Sequence, residues 1–97
     1  MFMFTRSGRV QLLEQDGKRG MILADTRETA QKVVAWFKNH NQQKITIAEI
    51  GTAPGETLEI QLNASLKEGA NCAFLLSFGD AGDLLLNILS HHEQHKG

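Results

Sequence analysis

The sequence predicts a single small α/β domain of the α+β type, in which helices pack on a mixed sheet of about four strands. Three observations favour this class. The chain has 97 residues, of which 41% are hydrophobic and 22% charged, as is typical of one globular domain. A hairpin pattern comes first, and helical and strand patterns then alternate in the order β-β-α-β-α-β-α. We expect residues 1–97 to form this one domain, with a polar tail from about residue 91.

The predicted hairpin joins residues 9–15 to residues 18–24 through Asp16 and Gly17. An Asp-Gly pair readily takes the two positive φ angles of a type I′ turn, and the flanking segments are strand-like. Phe2 and Phe4 alternate as well. The N-terminal segment is therefore expected either to extend the first strand or to add a short edge strand.

The first helix is predicted from an apolar stripe that follows a polar start. Residues 25–28, Asp-Thr-Arg-Glu, form an N-terminal capping pattern. Four apolar residues then follow at the i, i+3, i+4, i+7 spacing of one helical face: Ala30, Val33, Val34 and Phe37. Residues 44–50 are apolar on both sides of an extended chain, which predicts an internal strand after this helix.

Residues 57–68 fit two structures. Leu58, Ile60 and Leu62 alternate as in a strand, whereas Leu58, Leu62 and Leu66 lie along one helical stripe. We predict a helix, because helix-forming residues continue beyond the alternation and Gly69 stands where a left-handed residue ends many helices. If this segment is a strand instead, the order becomes β-β-α-β-β-β-α.

The last third of the chain predicts a buried strand and a final helix. Residues 71–78 contain a nearly continuous apolar run bounded by turn residues, which is typical of a central strand. A polar loop between Gly79 and Asp83 follows, and its two aspartates are suited to cap a helix. Five of the six residues from Leu84 to Leu89 are apolar, so we predict that this helix is covered on more than one side.

Charge and cysteine content exclude several classes of partner. Ten basic residues against eleven acidic ones leave a net charge of -1, without the cationic excess that binding nucleic acid requires. Cys72 is the only cysteine, which indicates a reducing, cytoplasmic location and no internal disulfide. Because no apolar run approaches the ~20 residues that span a bilayer, we expect no membrane association.

The sequence carries no catalytic or metal-binding motif, and we predict no cofactor. The Gly-rich loop that begins at Gly51 lacks the Lys-Ser/Thr ending of a phosphate-binding loop. Asp80 and Asp83 are too few to hold a hard cation. His91 and His95 have a spacing suited to zinc on a helix, but we assign them to the solvated tail. These observations favour a protein that is not an enzyme.

Two hypotheses about function remain. The first is a non-catalytic interaction or regulatory module that self-associates as a homo-oligomer, or binds a protein partner, through Leu86, Leu89 and Trp36. The alternative is a small ligand-binding protein or enzyme with a cleft between the loop from Gly51 to Gly55 and the loop from Gly79 to Asp83, since open sheets bind ligands at strand ends. Its candidate binding residues are Gly51, Thr52, Gly55, Asp80 and Gly82.

Overall fold

The computed structural model describes residues 1–40, 42–51 and 57–91, and for residues 89–91 the backbone alone. Strands and helices follow one another along the chain in nine segments: β1 (Phe2–Arg6), β2 (Arg9–Val10), β3 (Leu12–Gln15), β4 (Lys18–Ala24), α1 (Arg27–His40), β5 (Thr46–Glu49), α2 (Leu58–Lys67), β6 (Cys72–Phe78) and β7 (Leu84–His91). The predicted α+β class is confirmed. The described residues form seven strands rather than about four, because residues 9–15 divide at Gln11 and because β1 and β7 join the sheet.

All the strands belong to one mixed sheet, with β5 and β7 outermost. The prediction of an internal strand at residues 44–50 is therefore wrong, because β5 pairs among the described residues with β1 alone. On one side, β1 pairs with β5. On its other side, the first residues of β1 pair with β4 and the last residues pair with β2. β4 pairs with β3 and, in parallel, with β6, whose other neighbour is the antiparallel β7. The N-terminal segment is thus an internal strand, since it has partners on both sides, and is not the edge strand that the sequence left open.

Helices cover both faces of the sheet and give three layers. On one face, Val33 and Phe37 of α1 are fully buried in a cluster with Phe4, Ile22 and Phe74. On the other face, α2 packs its apolar stripe against a smaller cluster of buried residues: Met3, Met21, Leu23 and Ala73. Alternation along β1 and β4 divides their residues between these two clusters.

The predicted hairpin and both predicted helices before residue 70 are confirmed. Asp16 and Gly17 have φ angles of 54° and 78°, as a type I′ turn requires. The cap of α1 is Thr26, whose hydroxyl accepts from the Thr29 amide at 3.1 Å, one residue later than the Asp25 cap we expected. Gly69 has φ 103° directly after the end of α2. Neither described helix is long and apolar enough to cross a membrane.

The predicted final helix is wrong, because residues 84–91 form strand β7. Successive pairs join it to β6, from Phe78 opposite Leu84 to Phe74 opposite Ile88. A helix would have left the outer edge of β6 without hydrogen bonds, whereas the extended chain fills it. An apolar run of this length fits a strand or a helix equally well by periodicity, so pairing with the preceding strand β6 decided the outcome.

Candidate functional site

The turn between β6 and β7 determines how β7 lies on the sheet. The Gly79 amide donates to the Asp83 carbonyl at 2.9 Å, and the Gly82 amide donates to the Gly79 carbonyl at 2.9 Å. Gly82 has φ 83°. This is a three-residue hairpin loop, a type I turn completed by a left-handed glycine. The spacing of Gly82 after Asp80 was the pattern in the sequence that could have revealed a hairpin instead of a helix cap.

The side chains of β7 alternate between the two faces of the sheet. Leu84 and Leu86 are half-buried and pack against the cluster under α1. Leu85 points to the opposite face and is 41% exposed. Ile88, close to the end of the described side chains, is 49% exposed. Asn87 donates through its Nδ2 to the Ser77 hydroxyl at 3.2 Å, which ties this strand to β6.

The backbone of β7 offers hydrogen-bonding groups at the outer edge of the sheet. In an antiparallel pair, residues alternate between those that bond to the partner strand and those that point away from it. Because Gly79 bonds to Asp83, the alternation directs Leu85 and Asn87 toward β6. The N–H and C=O groups of Leu84, Leu86 and Ile88 therefore point outward. No strand in the described part of the chain pairs with that edge.

The three predicted interface residues have different surroundings. Leu86 lies on β7 with its side chain half-buried and its backbone groups directed outward. Leu89 also lies on β7, but its side chain is outside the described residues. Trp36 is half-buried on α1, where it meets the Phe37 ring edge-on at 5.4 Å and stacks on His40 at 4.4 Å. Trp36 packs against the core and lines a groove of about 210 Å³ with Leu84 and Leu86, so the structure brings it to the same face of β7 as Leu86.

The predicted ligand cleft is only partly within the described residues. Thr52 and Gly55 lie outside them, while Gly51 lies in a turn after β5 with φ 90°. β5 and β6 are both parallel to β4, so Gly51 and Asp80 lie at the same end of the sheet. Two strands separate β5 from β6, which puts the two loops about 14 Å apart at a strand spacing of about 4.8 Å.

The loop between β6 and β7 instead lines an open groove with the second half of α1. Asp80 and Gly82 line it from the loop, beside Phe78 and opposite Trp36 and His40. The groove has a volume of about 500 Å³. The His40 Nδ1 lies 3.1 Å from the Trp36 carbonyl, which holds the two rings in their stack. The groove thus combines a stacked aromatic wall with one carboxylate and the Lys32 side chain.

The described parts of the chain show one buried thiol and no cluster of metal-binding side chains. No three His, Cys, Asp or Glu side chains lie close enough there to hold a metal ion. Cys72 is 4% exposed, and burial raises the pKa of its thiol although the charge of Lys18 opposes the rise. A raised pKa keeps the thiol protonated and unreactive at neutral pH. His91, which the sequence predicted to lie in the tail, ends β7, and His95 lies outside the described residues.

Comparison of the chain with protein-family models, with curated proteins and with solved structures finds no match. Its function must therefore be inferred from the chemistry of its own surface. Two surfaces have features that the fold alone does not require. They are the outer edge of β7, with unpaired backbone groups and exposed apolar side chains, and the aromatic groove beside Trp36.

Proposed function

We propose that this protein is a non-catalytic interaction or regulatory module that self-associates through β7. The observation that carries the proposal is an eight-residue outer strand with outward-directed amides and carbonyls along its first half and exposed apolar side chains at Leu85 and Ile88. Unpaired edges of this kind bind another strand unless charge, shortness or a covering element prevents it.

The composition of β7 supports the proposal. No residue from Leu84 to Ser90 is charged, and the strand has no proline. Soluble proteins commonly protect an edge strand with lysine, proline or a bulge that turns it away. The only irregularity along β7 lies beyond Ile88, where its pairing with β6 shifts between Ala73 and Phe74. The stretch from Leu84 to Ile88 is therefore open to pairing, which adds main-chain hydrogen bonds to any apolar contact.

Further features support the non-catalytic part of the proposal and the cytoplasmic location. The one free thiol is buried and protonated, and the described residues bring together no three His, Cys, Asp or Glu side chains that could hold a metal ion. A lone, buried cysteine suits a reducing compartment. The near-neutral charge argues against nucleic acid and against an anionic membrane surface as partners.

The proposal is tested by the molar mass of the protein in solution across concentrations. We expect the wild type to shift from monomer to dimer between about 1 µM and about 500 µM, the range expected for a small interface. Ile88→Lys should remain monomeric, because it places a charge beside the edge. Ile60→Lys is the matched control, since Ile60 lies on α2 and is 46% exposed against 49% for Ile88.

Two results would contradict self-association through β7. A wild-type protein that stays monomeric up to the highest concentration excludes self-association. A dimer that survives Ile88→Lys but dissociates with Ile60→Lys places the contact on α2 instead. Circular dichroism of both variants should match the wild type, because each replaced side chain is largely exposed.

The aromatic groove supports a second candidate, the binding of a small ligand. Stacked Trp36 and His40 rings opposite Phe78 offer flat apolar surface, and Asp80 adds a charge that would attract a cationic group. Trp36 is the only tryptophan, so its fluorescence reports directly on occupancy of the groove. Saturable quenching by small aromatic cations, lost in Asp80→Asn, would favour this candidate over the interaction module.

A further inference from the structure

We infer that the occupant of the free edge is a second copy of this chain, whose β7 pairs antiparallel with the first about a two-fold axis through Leu86. This inference rests on the proposed function and adds the partner, the direction of pairing and the register. It follows from which backbone groups of β7 point outward and from the chemistry of the residues beside them.

The direction of pairing follows from placing the two-fold axis perpendicular to the sheet. A two-fold axis perpendicular to the sheet joins two copies of β7 antiparallel and extends one sheet across both molecules. It keeps the α1 layers of the two copies on one side and the α2 layers on the other. Residues directly opposite each other then have their side chains on the same face of the sheet. An odd-numbered residue of β7 must therefore lie opposite an odd-numbered residue of the second copy, and an even-numbered residue opposite an even-numbered one.

The register follows from the outward groups at Leu84, Leu86 and Ile88. With the axis at Leu86, this residue pairs with its own copy, and Leu84 pairs with the second copy's Ile88. Each of these pairs exchanges two hydrogen bonds, so every outward N–H and C=O from Leu84 to Ile88 acquires a partner. Moving the axis to Leu85 leaves Ile88 opposite the turn residue Gly82. Moving it to Asn87 leaves Leu84 without a partner among the residues from Leu84 to Ile88.

The side chains suit a second copy at this register. On the α1 face, Ile88 would lie beside the second copy's Leu84 and so lose part of its 49% exposure. On the other face, the exposed Leu85 would lie opposite the second copy's Asn87. No charge lies on this stretch, so two identical strands meet without repulsion. Since the contact also closes on itself, it yields a dimer and not a fibre.

Hydrogen exchange of the wild-type protein tests the register without a substitution. In a monomer, the amides of Leu85 and Asn87 are protected by β6, whereas those of Leu84, Leu86 and Ile88 exchange freely. Raising the concentration from about 10 µM to about 500 µM should slow exchange at these three outward amides by roughly tenfold or more as dimer forms. Exchange at Leu85 and Asn87 should change less.

Disulfide formation in variants with one added cysteine measures the position of the axis. Leu86→Cys should cross-link to itself, because directly opposite bonded residues have Cα atoms about 5.5 Å apart. Leu85→Cys and Asn87→Cys should cross-link poorly, because each would lie diagonally from its own copy at about 7–8 Å. The wild type provides the background, since its Cys72 is buried.

The outcomes separate this inference from the function on which it rests. Concentration-dependent association with free exchange at the three outward amides, or with the strongest cross-link at position 85 or 87, overturns the register and leaves self-association standing. A monomer at every concentration overturns both. Protection of the outward amides already in a dilute monomer means that another part of the same chain covers β7, and this too overturns the inference.

Discussion

The two outer strands of the sheet, β5 and β7, differ in how far their exposed edges are protected from pairing with another strand. β5 has four residues and ends in Glu49, whose carboxylate pairs with Arg27 at 3.3 Å. β7 has eight residues, and its stretch from Leu84 to Ser90 carries no charge. Shortness and charge hinder the addition of another strand at β5, whereas β7 has neither form of protection.

The features that protect the edge of β5 are absent from the edge of β7. The chain protects β5 with an ion pair whose two side chains are 58% and 44% exposed, so this pair contributes little to stability and is screened by salt. Because Glu49 lies on an outer strand, we expect its charge to hinder the addition of another strand there. The contrast supports the proposal that β7 is the surface by which the protein associates.

The largest expected effect comes from proline at matched positions of the two edges. The Ile50 amide bonds to the Met1 carbonyl, so the alternation along β5 directs the Glu49 amide outward, as it does the Ile88 amide on β7. Ile88→Pro should weaken dimerisation at least about 100-fold, because it removes a donor and adds a ring at the contact. Glu49→Pro should leave the dimer unchanged in sedimentation equilibrium. Equal effects of the two prolines would show that the edges do not differ.

A smaller effect is expected from exchanging charges across the proposed contact. Leu85→Lys should weaken the dimer, since the charge must be held against the second copy's Asn87. Adding Asn87→Asp places an opposite charge across each of two symmetric positions, and cross-strand pairs of this type contribute roughly 0.2–1 kcal/mol each. Recovery of about twofold to thirtyfold in the dissociation constant is therefore expected at low salt. The Leu85→Lys, Asn87→Lys variant is the control and should show no recovery.

The smallest expected effect concerns the ion pair at β5. Glu49→Thr should change the free energy of unfolding by less than about 0.5 kcal/mol, because both partners are exposed. Thermal melting at low and high salt measures this change. Molar mass in the same samples sharpens the comparison of the edges: an unchanged mass indicates that the shortness of β5 is sufficient protection, whereas oligomers larger than the dimer would show that the charge is required.

Local sequence patterns predicted a turn and two helices of the fold correctly. Asp16 and Gly17 predicted the turn between β3 and β4, and Ala30, Val33 and Phe37 predicted the buried face of α1 correctly. Val34, on the same predicted stripe, is only half-buried. The Ser7 and Gly8 turn between β1 and β2, with φ angles of 56° and 80°, was missed although its residues are of the turn-forming type.

The sequence by itself determined the elements whose conformation depends on near neighbours, such as turns that require positive φ and helices with a cap and a periodic stripe. Only the tertiary structure decided that residues 84–91 are extended and that β1 is internal. The position of β1 depends on backbone partners far along the chain. Residues 84–91 are extended because the preceding strand β6 offered an edge that an apolar run could fill as a strand. The candidate surface exists for the same reason: pairing with β6 uses alternate backbone groups of β7 and directs the others outward.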